Sequence, residues 1–235
     1  MKERKPVAVV AGAGPGNGAA LARRFADGGY AVALLARDGA KVAGLAEQID
    51  GACAYACDVS DPASIGRVFN MIAADLGAVE VLLFNAGSGV FKSVEEITAA
   101  EFEAAWRINA YGSLICSQAV IPAMKARGSG TILFTGATAS LRGGKRTAAF
   151  APAKAAQRSL AESMARTLWP AGIHVGLLIV DGVVDLPKTR QTMPDKEDNF
   201  FVDPAGVAET AWFLTHQDRR AWSFEVEARP FGENW

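Results

Sequence analysis

The stretch VAVVAGAGPGNGAALARRFADGG, residues 7–29, decides the fold. It begins with an apolar run of strand length and passes directly into a glycine-rich turn. Apolar residues then recur at helical spacing until a pair of glycines ends the pattern, which is typical of an amphipathic helix. The stretch therefore predicts a buried strand, a tight turn and a helix in immediate succession.

The turn has the composition of a phosphate-binding loop. Its glycines permit positive φ angles and a close approach of the backbone to a ligand. The helix that follows offers free N–H groups to a pyrophosphate. This strand–turn–helix context favours a dinucleotide cofactor over a tight turn without a ligand. The residues expected to contact the cofactor here are Gly12, Gly14, Gly16, Asn17 and Gly18.

The rest of the chain repeats the alternation of strand and helix. Nearly continuous apolar runs alternate with longer helical patterns, as expected for strands that are covered on both faces. This order predicts an α/β fold with a doubly wound parallel sheet and helices on both faces. No linker interrupts residues 1–235, so we expect one domain. The least regular segment, residues 183–203, is either a substrate lid or a surface excursion.

Composition excludes several classes of protein. The chain has 235 residues, 50% of them hydrophobic, and a formal net charge of -1. These values argue against a nucleic-acid surface or a membrane patch. Three cysteines and two histidines fit reduced thiols in the cytoplasm better than disulfides or a metal site. We therefore expect a small-molecule substrate, no nucleic-acid or membrane partner, and no metal.

The tip of the second strand bears on the choice of cofactor. NAD enzymes usually carry an acid there to bind the ribose 2′-hydroxyl. This chain has Ala36 followed by Arg37, whose guanidinium can bind a 2′-phosphate instead. This favours NADP(H) over NAD(H), with a solvated surface arginine as the alternative. Asp58 and Val59, after the third strand, are expected to lie near the adenine.

Four segments in order carry a resemblance to a known family. They are AGAGPGNG (11–18), FNAG (84–87), RINAYG (107–112) and FAPAK (150–154). As a set they resemble the short-chain dehydrogenase/reductase family over nearly the whole chain. The resemblance implies a single Rossmann-like domain with a seven-stranded sheet, a nicotinamide cofactor, and hydride transfer to or from a carbonyl or alcohol.

The resemblance also implies roles for individual residues. Asn109 matches an asparagine that holds a water in a proton relay. Lys154 matches a lysine that binds the nicotinamide ribose and lowers the pKa of a catalytic tyrosine. The remaining positions implied for cofactor contact are Asn85, Ala86, Gly87, Gly182 and Val184.

Departures from the family pattern raise the question of mechanism. Phe150 stands at the tyrosine position and Ala137 at the serine position, so both hydroxyls are missing. A positioned general acid contributes on the order of 10² to 10⁴ in rate. Thr138 and Asp181 are candidate substitutes; alternatively, Thr138 satisfies loop backbone groups and Asp181 caps its loop. Either the chain is an oxidoreductase with a changed acid, or it is a weak or inactive NADP(H)-binding pseudoenzyme.

Other departures affect the cofactor and substrate. The Pro-Gly pair expected after the sixth strand reads Asp181-Gly182, Leu186 replaces a threonine, with Thr189 nearby, and Pro15 stands where NADP-preferring members often have a basic residue. A homodimer or homotetramer is expected, through the helix that ends at Trp169 and the last strand with its tail. Five aromatic residues are either core or the lining of an apolar substrate pocket: Phe91, Trp106, Phe150, Phe200 and Phe201.

Overall fold

Seven strands form one parallel sheet in the computed structural model, which describes residues 4–232. The strand order is β3-β2-β1-β4-β5-β6-β9. Every neighbouring pair runs parallel. This confirms the predicted Rossmann-like sheet. The strands are β1 (Val7–Ala11), β2 (Ala31–Ala36), β3 (Ala52–Ala56), β4 (Val79–Phe84), β5 (Gly130–Ala137), β6 (Ile173–Val180) and β9 (Glu225–Ala228).

Helices cover both faces of the sheet. One apolar core contains residues of α1, α2 and α8, and the other contains residues of α3, α5 and α6. The helices are α1 (Asn17–Asp27), α2 (Gly39–Ala46), α3 (Pro62–Asp75), α4 (Ala99–Trp106), α5 (Gly112–Arg127), α6 (Phe150–Leu168), α7 (Pro187–Thr192) and α8 (Pro204–Thr215). Of these helices, none is both long and apolar enough to cross a membrane.

Strand β1 shows why the early apolar runs become central strands. All five of its residues are buried. Val7, Val9 and Ala11 belong to one core, whereas Ala8 and Val10 belong to the other. Side chains alternate across a strand, so a continuous apolar run serves both faces at once. β1 lies between β2 and β4, which places the carboxyl end of β1 at the switch point of the sheet, where ligands bind.

The long helical region over residues 99–127 includes a π-helical turn at Arg107–Tyr111, between α4 and α5. Helix α6 begins at Phe150, with Pro152 in its first turn.

The segment after β6 contains regular structure. Two short strands, β7 (Val183–Val184) and β8 (Phe201–Val202), pair with each other and flank α7. The expected interface tail lies partly outside the described residues, because it includes positions 233–235.

Candidate functional site

A cleft of about 470 Å³ opens at the carboxyl ends of β1, β2 and β4. It brings together most of the residues that the sequence predicts for a cofactor. It also includes residues that sequence reasoning did not select, such as Ser88, Ile108 and Leu186. The predicted residues that line it are Gly12, Gly14, Asn17, Gly18, Arg37, Asp58, Val59, Asn85, Ala86, Gly87 and Val184.

The glycine turn has the properties that a pyrophosphate requires. Gly12 has φ +93, and a Cβ there would lie 2.4 Å from the backbone nitrogen of Ala86. No side chain caps α1, and its first turn holds no acidic residue. Its N–H groups are therefore available to an anion. Asn17 also lines the cleft. The glycine turn and the uncapped helix start fit the phosphates of a dinucleotide.

Three predicted cofactor residues lie outside the cleft lining. Gly16 faces Leu186, whose Cδ2 would be 2.3 Å from a Cβ at that position. Gly182 faces Pro230, which follows β9; a Cβ at Gly182 would lie 2.8 Å from Pro230 Cδ. Lys154 lies behind Gly87, where a Cβ would be 3.8 Å from the lysine Nζ. Gly16 and Gly182 thus allow close packing of protein on protein, while Lys154 stays within reach of the cleft wall.

The adenosine end of the cleft carries charges of both signs. Arg37 is exposed and lines the cleft. Asp58 accepts hydrogen bonds from the backbone N–H and the hydroxyl of Ser60 at 2.9 and 2.7 Å. Burial raises the pKa of Asp58, but the Ser60 bonds and the charge of Arg37 outweigh it, so the pKa is lowered.

The Lys154 ammonium is held by neutral acceptors. Its side chain is 4% exposed, and Nζ donates to the Thr135 carbonyl at 2.7 Å and to Gln157 Oε1 at 3.0 Å. Burial lowers the pKa of Lys154 from 10.5 to about 7. The amine therefore gains or loses a proton near neutral pH, and no carboxylate among residues 4–232 forms an ion pair with it.

Asn109 occupies the π-helical turn, directly beside this lysine. Its Nδ2 donates to the carbonyl of Ala105 at 2.8 Å, and its backbone carbonyl accepts from Gln157 Nε2 at 2.9 Å. Asn109 Oδ1 is buried without a partner among the described residues and faces Gly87. An acceptor and an ammonium thus lie against the same glycine of the cleft wall.

Thr138 and Asp181 form one unit. They follow β5 and β6, which pair in register at Ala137 and Val180. The Thr138 hydroxyl donates a hydrogen bond to Asp181 Oδ1. The carboxyl is 1% exposed and forms an ion pair with Arg229 Nη2 at 2.7 Å. The Thr138 hydroxyl therefore binds the Asp181 side chain, and the roles of the two residues stay predictions.

The aromatic set is divided among three places. The Phe91 ring lies 5.7 Å from the Phe150 ring, at the tyrosine position. Trp106 stacks on Tyr111, and the rings of Phe200 and Phe201 contact each other. One of these three places includes Phe150 of the FAPAK segment, and the lining of an apolar substrate pocket stays a prediction.

Sequence reasoning also missed two residues that contact predicted site residues, namely Gln157 beside Lys154 and Arg229 beside Asp181. Gln157 is fully buried three positions after Lys154, a spacing that puts both on one helical face. That polar residue on a core-facing position was a usable signal. No sequence signal indicated Arg229, because its partner Asp181 is distant in the sequence and the two residues meet only when β9 pairs with β6.

Comparisons with known proteins agree with this geometry. The family model described as short chain dehydrogenase matches residues 6–197. An uncharacterized oxidoreductase of Staphylococcus saprophyticus is 28% identical over 95% of this chain and 97% of its own. A short-chain dehydrogenase structure from Rhodopseudomonas palustris is 36% identical, with a TM-score of 0.84, and covers 97% of this chain and 100% of its own.

Two further solved structures contain nicotinamide cofactors. A metagenomic short-chain oxidoreductase in complex with NADP is 28% identical, with a TM-score of 0.85, over 98% of this chain and 99% of its own. The 3-ketoacyl-(acyl-carrier-protein) reductase of Brucella melitensis, complexed with NADH, is 27% identical, with a TM-score of 0.87, over 97% of this chain and 98% of its own. The chain belongs to the short-chain dehydrogenase/reductase family of oxidoreductases.

Proposed function

We propose that this chain is an NADP(H)-dependent oxidoreductase acting on a small carbonyl or alcohol, with Thr138 and Asp181 in place of the missing hydroxyls. The observation that carries the proposal is the hydrogen bond between these two side chains at the ends of β5 and β6. A nicotinamide cofactor held by the cleft residues would supply or accept the hydride. This chain's residues must then move one proton to or from the substrate oxygen.

The pair is suited to accept that proton. Thr138 is half-buried, whereas Asp181 lies fully buried behind it. In alcohol oxidation the substrate O–H donates to Thr138 Oγ1, and the threonine passes its own proton to Asp181 Oδ1. Carbonyl reduction runs the same transfer backwards. Arg229 holds the carboxylate in place from the far side.

Turnover of variants tests this role. Alcohols with NADP⁺ and carbonyls with NADPH are screened for absorbance change at the reduced nicotinamide. We expect Thr138→Val and Asp181→Asn each to lower kcat by on the order of 10²-fold or more, as for loss of a positioned proton donor. Thr167→Val, which removes a hydroxyl bonded only to a helix carbonyl of α6, is the matched control. Undiminished turnover in both site variants would remove the pair from the mechanism.

The preference for NADP(H) rests on Arg37. Its exposed guanidinium at the tip of β2 suits a 2′-phosphate. A hydrogen bond to a charged group contributes about 1.5–3 kcal/mol. We therefore expect Arg37→Ala to weaken NADPH binding by roughly 10- to 100-fold while NADH binding changes little. Fluorescence titration measures both, with Lys41→Ala as a nearby exposed control; equal losses for the two cofactors would contradict the preference.

A second candidate is an NADP(H)-binding pseudoenzyme with a sensing or partner-binding role. It is supported by Phe150, whose ring packs on Phe91 and carries no hydroxyl. The double variant Phe150→Tyr, Ala137→Ser separates the candidates. A cofactor-binding wild type without turnover, and a double variant that gains carbonyl reduction, would favour the pseudoenzyme.

Self-association is part of the proposal, as a homodimer or homotetramer. Trp169 packs against Trp222 of its own chain, with ring centroids 5.7 Å apart. The more exposed aromatic side chains are Phe213 on α8, 62% exposed, and Phe231 after β9, 91% exposed. Light scattering of the wild type and of Phe213→Ser tests whether this surface is an interface.

A further inference from the structure

Gln157 joins Lys154 on α6 to Asn109 in the π-helical turn. Its side chain has no exposed surface. Oε1 accepts from Lys154 Nζ at 3.0 Å, and Nε2 donates to the Asn109 carbonyl at 2.9 Å. The amide thus bridges helix α6 and the π-helical turn at Arg107–Tyr111.

The orientation of this amide is fixed by its partners. A lysine ammonium only donates and a backbone carbonyl only accepts, so a flipped amide would break both bonds. Each broken bond inside the protein would leave a buried polar group unsatisfied, at a cost of about 1–3 kcal/mol. Gln157 therefore holds Lys154 Nζ in one place.

The bridge transmits a hydrogen bond but no proton. Water and hydroxyl groups both donate and accept through one oxygen, and can therefore pass a proton along. The primary amide accepts at oxygen and donates at a different atom, and its N–H does not ionise at neutral pH. The other acceptor of Lys154, the Thr135 carbonyl, carries no proton either.

We propose that Gln157 is a positioning residue, which fixes the Lys154 amine behind Gly87 as a hydrogen-bond donor toward the cleft and closes the path for protons between Lys154 and Asn109. This inference depends on the proposed cofactor site only for its binding readout. It assigns Lys154 to cofactor positioning and leaves proton transfer to the Thr138–Asp181 pair.

The proposal can be tested by adding a charged side chain at position 157 and measuring the pKa of Lys154. Burial is the sole cause of its lowered pKa, with no contribution from a charged group on β4, β5, β6 or α4. Asp181, at the end of β6, is already paired with Arg229 and bonded to Thr138. A carboxylate placed at Gln157 would therefore be the first charge to face the amine.

The test is titration of the Lys154 ¹⁵Nζ signal by NMR in the full chain without cofactor, assigned by its loss in Lys154→Met. An opposite charge within about 4–6 Å shifts a pKa by roughly 1–3 units. We expect Gln157→Glu to raise the Lys154 midpoint by about that amount, and the pH at which NADPH binding weakens to rise with it. Gln48→Glu, in the exposed turn that follows α2, is the control and should leave the midpoint unchanged.

Gln157→Met is a second variant, which keeps the length and loses both hydrogen bonds. We expect it to weaken NADPH binding by about tenfold, equivalent to one hydrogen bond, and to shift the Lys154 signal. An unmoved midpoint in Gln157→Glu, or unchanged signal and binding in Gln157→Met, would overturn the proposal. Shifted Lys154 signals in a chain that binds no NADPH would support the role of Gln157 and refute the cofactor proposal instead.

Discussion

Burial of Lys154 has a measurable effect on the stability of the whole protein. Its pKa falls from 10.5 in the unfolded chain to about 7 in the folded one. Between these values the unfolded state binds one more proton than the folded state. Stability therefore rises with pH over this interval, by about 1.4 kcal/mol per pH unit. Below pH 7 both states are protonated and this dependence disappears.

The perturbation is Lys154→Met, which removes the titrating group and keeps an apolar side chain of similar length. From pH 7 to pH 9 the free energy of unfolding of the wild type should rise by roughly 2–3 kcal/mol relative to the variant. Comparing the change with pH cancels the constant difference caused by the lost hydrogen bonds to Thr135 and Gln157. Urea denaturation at pH 6, 7, 8 and 9 provides the measurement.

Lys125→Met is the matched control, because Lys125 lies exposed on α5. Its stability should follow that of the wild type at every pH. Parallel curves for the wild type and Lys154→Met, within about 0.5 kcal/mol from pH 7 to pH 9, would refute the argument that burial lowers the pKa of Lys154.

Two other substitutions test packing and charge. Gly12→Ala should lower the free energy of unfolding by about 2–4 kcal/mol, because the new methyl group adds left-handed backbone strain and overpacks against Ala86. Gly14→Ala should be tolerated, since no atom of a non-adjacent residue in the described chain lies within 4 Å of a Cβ there. Thermal melts in which Gly14→Ala is the more destabilised variant would contradict this turn geometry. Asp181→Asn should lower the free energy of unfolding by about 1–3 kcal/mol, because it removes the buried charge that pairs with Arg229, whereas Glu227 still pairs with that arginine. The exposed Asp218→Asn should lower it by less than about 1 kcal/mol, and urea denaturation measures both.

Much of the fold could be predicted because local patterns and global topology agree. The alternating burial of β1 and the glycine turn after it depend only on neighbouring residues. The cleft follows from them, since parallel strands bring their carboxyl ends together. The break between α4 and α5 could not be predicted in this way. Residues 107–111 have ordinary helical composition, and only the tertiary contacts of Asn109 distinguish that turn.

The candidate site was predicted less completely than the fold. Absence of hydroxyls at Phe150 and Ala137 was evident from motif spacing. The pairing of Thr138 with Asp181 was not, because the two residues lie 43 positions apart in the sequence. It depends on the register between β5 and β6, which brings the residues after Ala137 and Val180 side by side. Sequence patterns predict where strands lie, but they do not determine the register between two strands.

The ion pair between Asp181 and Arg229 also links the site to the order in which the chain is made. Arg229 follows β9, the edge strand that joins the sheet beside β6. A ribosome therefore delivers the cofactor turn early and the partner of Asp181 late. Until β9 pairs with β6, the Asp181 carboxylate lacks its ion pair with Arg229. The charges around Asp181 are therefore complete only when the sheet is complete. Pairing of the edge strand would thus act as the last step in maturation of the site.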